Sequence, residues 1–265
     1  MPPLDSILRE PAYFRKHSKP GERTRVVGPS QGLVYSPGMT KRGIVAIAVV
    51  VVVAVVLILV FTLNRSSPEA ASAPVYTIAI DAGHGGRDPG ATADDVYEKD
   101  INLDVTTRVV ELAKAKAGLD PVQIRSLDIF ISLEDRIVQA EEAGAVLYVT
   151  IHVNSYTGPD PSGVETIVDD TRTADDDSWV LAELIQNAIV EATGARDRGT
   201  RMQESYLQRT EMPAVSVEMG YLTNPDERAK LVDPAYQETI AEAILAGIEQ
   251  FVEWKYPPAA PTAQP

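Results

Sequence analysis

Two kinds of hydrophobic pattern alternate along the last two thirds of the chain. Short runs rich in apolar residues and bounded by turn residues predict buried strands; they cover 75–81, 122–125, 145–153, 163–168 and 214–218. Apolar residues that recur three or four positions apart predict helices; these stretches are 99–116, 132–144, 179–191 and 235–254. Strands that alternate with helices indicate an α/β domain over 75–256, in which a mostly parallel sheet is covered by helices on both faces.

The helix predicted over 132–144 has a recognisable start. Ser132 is a common N-cap residue, and Asp135 three positions later gives a weak capping-box pattern. Leu133, Ile137 and Ala140 share one helical face, so we expect all three side chains to be buried.

A third pattern occupies 43–63, where 21 consecutive residues contain neither a charge nor a proline. A helix of that length spans ~30 Å, the thickness of the hydrocarbon core of a bilayer. Lys41 and Arg42 precede it, so the positive-inside rule places residues 1–42 in the cytoplasm and the domain outside. A cleaved signal peptide is the alternative, but the segment before the apolar run is far longer than such peptides have. We therefore expect an uncleaved transmembrane helix that anchors the chain in the cell membrane.

Composition and charge refine this picture. The first 42 residues hold eight basic and three acidic side chains, whereas the whole chain has a net charge of −14, so the remainder carries −19. Nucleic-acid binding requires a basic surface, and we expect no nucleic-acid partner. The sequence contains no cysteine, so any metal must be held by histidine and carboxylates. Residues 1–42 and 257–265 are predicted to be disordered tails, and 64–74 a flexible linker.

The candidate chemistry lies where predicted strands end. His84 follows the first strand in the glycine-rich stretch IAIDAGHGGRDPG, and His152 and Glu218 stand at the ends of two later strands. Ligands of open α/β sheets bind at the carboxyl ends of the strands. Two histidines and a carboxylate, with one position left open, form a catalytic zinc site. A phosphate-binding loop is the weaker interpretation of the glycines, because an acidic, turn-rich segment follows them.

The residues alone leave the carboxylate roles open. Glu98 immediately precedes a predicted helix, where it could bind the metal or only complement the helix dipole. A further carboxylate is needed to take a proton from water and return it to a leaving amine. Glu98 and Glu218 could each play either role.

Six sequence blocks give the chain a specific resemblance. They are IAIDAGHGGRDPGA, EKDINL, IRSLDIFISLEDRI, IHVNS, SGVET and MPAVSVEMGYLTNPDE, and the resemblance that they carry extends from Tyr76 to about Val252. In this order they resemble the zinc-dependent N-acetylmuramoyl-L-alanine amidases of bacterial cell walls. The resemblance implies a mixed sheet of about six strands flanked by helices.

The resemblance also implies roles for the carboxylates. The family's zinc ligands fall on His84, Glu98 and His152, one ion per domain, and its catalytic glutamate falls on Glu218. The implied reaction is hydrolysis of the amide between N-acetylmuramic acid and the L-alanine of the stem peptide in peptidoglycan. Such an enzyme serves wall remodelling or cell separation, and its partners would include cell-division or wall-synthesis proteins.

Supporting roles and alternative functions stay open at this point. Asp81, Asn154 and Arg209 are candidates for binding substrate or for supporting the metal ligands through hydrogen bonds. Arg125 and Arg136 favour structural ion pairs over substrate binding. A catalytically silent protein that binds peptidoglycan or activates a wall hydrolase is one alternative, and an amidase specific for the spore wall is another. A zinc peptidase of different specificity is a third.

Overall fold

The computed structural model describes residues 41–63 and 74–257. Apart from boundary residues, the predicted N-terminal tail, the linker and the proline-rich end lie outside the described residues, and their predictions stay as they are. The chain divides into two compact units, 1–70 and 71–265.

The first unit contains one described helix, α1 (Lys41–Leu63). It is long and apolar enough to cross a membrane, with a mean hydropathy of 3.7 over its most apolar window. From Val45 to Phe61 its large apolar side chains are between 50% and 66% exposed. Such a surface is unusual for a helix in water but typical of one that lies in lipid.

The described residues of the second unit, 74–257, form eight strands and five α-helices. The strands are β1 (Tyr76–Ala82), β2 (Thr92–Ala93), β3 (Val96–Tyr97), β4 (Leu119–Gln123), β5 (Tyr148–Asn154), β6 (Val164–Asp169), β7 (Asp197–Gln203) and β8 (Ala214–Tyr221). The helices are α2 (Glu98–Lys114), α3 (Leu133–Glu142), α4 (Asp177–Thr193), α5 (Pro225–Leu231) and α6 (Pro234–Lys255), with a short 3-10 helix at Tyr206–Arg209. Strands β2 and β3 form a separate small hairpin.

Six strands form the main sheet in the order β4-β1-β5-β8-β6-β7. Four of the five pairings are parallel, and β6 runs antiparallel to β8. The predicted mixed, mostly parallel sheet is thereby confirmed. Because β1, β5 and β8 are parallel neighbours, their carboxyl ends meet at one edge, where the histidines were expected.

The two faces of the sheet have different coverings. One face packs against α2, α4 and α6 in the larger core, to which Val149, Ile151 and Val153 of β5 belong. Side chains alternate along a strand, so Thr150, His152 and Asn154 point to the other face. A smaller core on that second face contains Tyr148 of β5 together with Ile137 and Ala140 of α3. The rest of this face carries polar side chains such as His152 and Asn154.

Two local expectations need correction. Strand β7 was not predicted, because its sequence DRGTRMQ has no apolar alternation and it lies at the edge of the sheet. Leu133 is 52% exposed rather than buried, since it occupies the first turn of α3 beside an open cleft. Ile137 and Ala140 are buried as expected, and the Ser132 hydroxyl accepts the Asp135 N–H as the predicted N-cap.

Candidate metal centre

Three segments bring His84, Glu98 and His152 together. His84 follows β1, His152 lies in the neighbouring strand β5, and Glu98 is the first residue of α2. One ligand atom from each residue lies within 4.8 Å of the other two. The parallel pairing of β1 with β5 thus places two histidines far apart in sequence at the same edge of the sheet.

Glu98 is the buried member of this group. Its Oε1 lies 3.2 Å from His84 Nε2 and 3.0 Å from His152 Nδ1, and it accepts the N–H of Val153 at 3.1 Å. Burial favours the neutral carboxyl, but hydrogen bonds to His152 and His84 outweigh burial and lower the pKa of Glu98. The carboxylate is therefore ionised and available as a metal ligand.

Glycines allow the loop after β1 to approach the ligands closely. A Cβ atom on Gly83 would lie 2.1 Å from the His152 ring, and one on Gly90 would lie 2.5 Å from Glu98 Oε2. His84 itself has a φ of 63°, a conformation that non-glycine residues rarely adopt. Strain of this kind persists where surrounding contacts enforce it, and it directs the imidazole towards Glu98.

Asp88 orients the His84 ring. Its Oδ2 lies 2.9 Å from His84 Nδ1, which leaves Nε2 facing Glu98. Burial alone would lower the pKa of His84, but hydrogen bonds and charge from Glu98 and Asp88 raise it to about 9. A carboxylate on the distal nitrogen of an imidazole is the usual support of a metal-binding histidine.

A buried ion pair stabilises the loop that carries His84. Asp81 Oδ1 accepts Arg136 Nη1 at 2.7 Å, and both side chains are almost fully buried. Arg136 Nη2 in turn donates to the His84 carbonyl oxygen at 2.5 Å. The hydroxyls of Tyr148 and Thr150 donate to the other oxygen of Asp81. Asp81 therefore acts on the centre through the backbone of His84, and the ion pair expected of Arg136 is present.

Arg125 has a different set of contacts from the ion pair that its sequence context favoured. Its guanidinium donates to the carbonyl oxygens of Ala82, Gly83, Leu127 and Lys99. These bonds fasten the loop after β1 to the segment that precedes α3. The same guanidinium also joins this loop to the first turn of α2 through the Lys99 carbonyl oxygen.

Glu218 is the next carboxylate beside the centre. It is half-buried in β8, and its Cα is in register with that of His152 across the β5–β8 pairing. Burial raises the pKa of Glu218 to about 7; His152 opposes the rise, and the charges of Glu98 and Glu165 add to it. A carboxyl with such a pKa can both accept and donate a proton near neutral pH.

The two remaining candidates occupy different places. Asn154 lies two residues beyond His152 and donates from Nδ2 to Glu165 Oε1 at 2.6 Å. Arg209 is 53% exposed at the end of the 3-10 helix and lies 3.8 Å from Glu134. Asn154 is thus joined to the polar face near Glu218, whereas Arg209 lines a surface hollow together with Tyr206, a residue that also lines the cleft beside the histidines.

An open cleft of about 320 Å³ lies beside the two histidines. Its wall is partly apolar, and its lining includes Phe130, Ile131, Leu133 and Tyr206. The guanidinium carbon of Arg87 lies 4.1 Å above the Phe130 ring and braces this wall. The cleft gives a substrate of moderate size direct access to the ligand atoms.

Sequence reasoning missed Asn102, which holds Glu98 in place. Its Nδ2 donates to Glu98 Oε1 at 3.3 Å and to the Gly83 carbonyl oxygen at 3.2 Å. The signal was present, because residues four apart share one face of a helix. Asp88 was likewise given no role from the sequence, and its bond to His84 Nδ1 identifies it as a support of that ring.

The donor set fits a zinc ion. Two imidazole nitrogens and one carboxylate oxygen converge, and an open cleft adjoins them. This combination is that of catalytic zinc sites, which keep one coordination position free. The hydrogen bonds that join Asp88 to His84 and Asn102 to Glu98 provide the outer support that such sites need.

A sequence profile described as N-acetylmuramoyl-L-alanine amidase matches residues 78–250, which is most of the second unit. The chain belongs to the N-acetylmuramoyl-L-alanine amidase family. It is therefore an amidase that acts on the bacterial cell wall, and enzymes of this family generally depend on zinc.

Individual relatives agree with this assignment. The amidase is 39% identical over 178 residues to the uncharacterized protein YqiI of Bacillus subtilis, covering 67% of this chain and 85% of that one. It is 40% identical over 172 residues to the N-acetylmuramoyl-L-alanine amidase LytC of the same organism, covering 64% of this chain but only 34% of LytC. A crystal structure of an N-acetylmuramoyl-L-alanine amidase from Clostridium difficile 630 superposes with a TM-score of 0.66 at 34% identity, over 69% of this chain and all of that one.

Proposed function

We propose that this amidase is a membrane-anchored, zinc-dependent enzyme that cleaves the bond between N-acetylmuramic acid and the L-alanine of the stem peptide. The observation that supports this most is the convergence of His84, Glu98 and His152 with Glu218 beside them on the next strand. Its place is in wall remodelling or cell separation, and peptidoglycan is its substrate.

His84, Glu98 and His152 would hold the ion, with Glu98 as the anionic ligand that offsets part of its charge. Zinc bound there supplies Lewis-acid activation of the amide carbonyl and of water. His84 Nε2 and His152 Nδ1 are both turned towards Glu98 Oε1, so these ring nitrogens would be the donor atoms of the two histidines. Asp88 keeps the His84 ring in the tautomer with its proton on Nδ1.

Glu218 moves the proton. Its carboxylate accepts a proton from the water that attacks the carbonyl carbon. The resulting carboxylic acid then gives that proton to the alanine nitrogen as the C–N bond breaks, so that the peptide leaves as an amine. The raised pKa of about 7 suits this double role, because neither the acid nor the base form of Glu218 is strongly disfavoured near neutrality.

The membrane helix determines where the enzyme acts. With α1 in the bilayer and the basic residues before it in the cytoplasm, the domain lies outside the membrane and next to the wall. The strongly acidic charge after residue 42 does not favour capture by anionic polymers of the wall, so α1 keeps the enzyme near its substrate instead.

The test uses the purified full-length chain in detergent with intact peptidoglycan, with and without a zinc chelator. We expect free stem peptides that begin with L-alanine, identified by mass spectrometry, and their loss on chelation. Glu218→Gln should keep one zinc per chain by elemental analysis while kcat falls about 10²–10⁴-fold, because the proton acceptor is gone. Intact muropeptides after incubation would refute the activity, and normal turnover by Glu218→Gln would refute the role of Glu218.

A further inference from the structure

A second polar group lies on the same face of the sheet as Glu218. Glu165 of β6 is directly opposite Glu218 across the antiparallel β6–β8 pairing, and it is 6% exposed. Its Oε1 accepts Asn154 Nδ2 at 2.6 Å. Its Oε2 accepts Arg198 Nε at 2.8 Å and Arg201 Nη1 at 3.3 Å. We call Asn154, Glu165, Arg198 and Arg201 the arginine cluster.

The two arginines of the cluster carry more positive charge than Glu165 neutralises. One carboxylate faces two guanidinium groups, each of which has five N–H donors. The Arg201 side chain is 53% exposed, and its bond to Glu165 uses one of its five N–H donors. Arg198 is more enclosed, and its guanidinium carbon lies 5.0 Å from the centre of the Tyr221 ring. This excess stands out in a chain with a net charge of −14.

The neighbouring carboxylate of Glu227 is already occupied. It accepts the backbone N–H of Gly163 and of Tyr221, both at 2.7 Å. Those bonds close the loop before β6 against β8 and turn the carboxylate towards the backbone. Glu165 therefore holds the two guanidinium groups in place without using up their capacity to bind an anion.

The sheet sets the distance between the cluster and the reacting amide. Neighbouring strands are ~4.8 Å apart, so β7 lies ~10 Å from β8, with β6 between them. An extended peptide advances ~3.3–3.6 Å per residue. A stem peptide that leaves Glu218 across β6 therefore reaches Arg201 two or three residues beyond the scissile amide.

We propose that the arginine cluster binds a carboxylate of the stem peptide two or three residues beyond the amide that is cleaved. This inference rests on the proposed function and adds the feature of the substrate that the enzyme selects. Arg201 binds the carboxylate through paired N–H donors, a geometry that matches guanidinium to carboxylate. Glu165 and Asn154 are positioning residues that act through the two arginines.

The test compares synthetic muramoyl peptides that differ in one group. In each pair, the carboxylate at the second or the third peptide residue is either free or converted to a primary amide. Zinc-loaded full-length enzyme is assayed in detergent for kcat and KM with every member. For one of the two positions we expect kcat/KM to be about ten- to a hundredfold higher for the free acid, mainly through KM, as for a hydrogen bond to a charged group.

Variants identify the group that recognises the carboxylate. Arg201→Gln should reduce the preference for the free acid to about one. Arg201→Lys should retain part of it, since lysine keeps the charge but not the paired donors. Glu165→Gln should raise KM for the free acid more than it lowers kcat. The matched control is Arg108→Gln, which removes a guanidinium that pairs with Glu238 on the helical face, and it should retain the full preference.

The outcomes separate the two proposals. Hydrolysis of both members of each pair with equal kcat/KM overturns the carboxylate site while the amidase function stands. A preference that survives Arg201→Gln also overturns it. Failure of the wild-type enzyme to hydrolyse any of the muramoyl peptides overturns the proposed function, and the inference with it. The Arg201 variants carry the test if Glu165→Gln does not fold.

Discussion

At the residue scale, Gly83 shows how closely the backbone approaches the candidate metal centre. A Cβ atom there would lie 2.1–2.6 Å from three ring atoms of His152. We expect Gly83→Ala to displace the His152 ring and to weaken zinc binding about ten- to a hundredfold, as when support of a ligand is lost. Competition with a chromophoric chelator measures the affinity.

Gly158 offers the control for this change. It has no atom within 4 Å of an added Cβ and no positive φ, so Gly158→Ala tests the substitution without the clash. We expect zinc affinity like that of the wild type for Gly158→Ala. Equal affinities in the two variants would show that His152 is not held where a metal ligand must be.

Asp81 and Arg136 carry a prediction about stability. Arg136→Met leaves the buried Asp81 carboxylate with only hydroxyl partners and frees the His84 carbonyl. Removing one member of a buried ion pair costs about 3–5 kcal/mol. We expect a loss of that size in the free energy of unfolding from urea titrations of the full-length chain.

An exposed pair provides the comparison for Arg136. Arg209 lies 3.8 Å from Glu134 and both side chains are more than half exposed. Arg209→Met should therefore change the free energy of unfolding by less than about 1 kcal/mol. A similar loss of unfolding free energy in both variants would mean that the buried Asp81–Arg136 pair contributes no more to stability than the exposed pair.

At the element scale, α4 and α6 meet at a glycine. A Cβ on Gly247 of α6 would lie 2.6 Å from the backbone Cα of Ile185 in α4. Alanine improves helix propensity by about 1 kcal/mol, but overpacking a close contact costs about 1–3 kcal/mol. We expect Gly247→Ala to lower the free energy of unfolding by about 1–2 kcal/mol in urea titrations.

Gln250, three residues further along α6, is exposed and gives the matched control. Gln250→Ala should leave the free energy of unfolding within about 0.5 kcal/mol of the wild type. A gain in stability for Gly247→Ala, as helix propensity alone predicts, would contradict the close packing of the two helices.

Most elements followed from the sequence, and the exceptions have physical reasons. The buried strands and the helices above them must present apolar side chains, so periodicity located β1, β5, β6 and β8 and the main helices. The edge strand β7 faces a neighbour on one side only and needs no apolar alternation. Its sequence therefore resembles a loop.

Prediction of the site was likewise limited to residues on strands that have an apolar pattern. His84, His152 and Glu218 could be grouped because each stands near the end of an apolar strand. Glu98 could not be assigned from the residues, because a glutamate that opens a helix is favoured by the dipole alone. Arg198 and Arg201 were not found because they lie on β7, whose position beside β6 was unknown.

At the scale of the whole molecule, α1 and the amidase domain belong to different compact units. The two core clusters draw all their residues from the second unit. Removing residues 1–63 should therefore leave the domain folded and active on soluble muramoyl peptides, while the protein moves from the membrane to the soluble fraction. Sedimentation of cell extracts measures this shift.

A shorter deletion isolates the contribution of α1. Removing only residues 1–40 keeps the helix, and this variant should stay in the membrane fraction. If the chain without residues 1–63 still sedimented with membranes, the anchor would have to lie elsewhere in the protein.

The three candidate ligands come from separate segments of the chain, and this determines when the metal site can form. His84 and His152 meet only after β1 and β5 have paired, and Glu98 reaches them only when α2 has docked. An unfolded chain therefore has no preformed site that could carry an ion. In the proposed membrane-anchored zinc enzyme, the metal is thus acquired only after the domain has folded, from the supply on the side of the membrane where the domain lies.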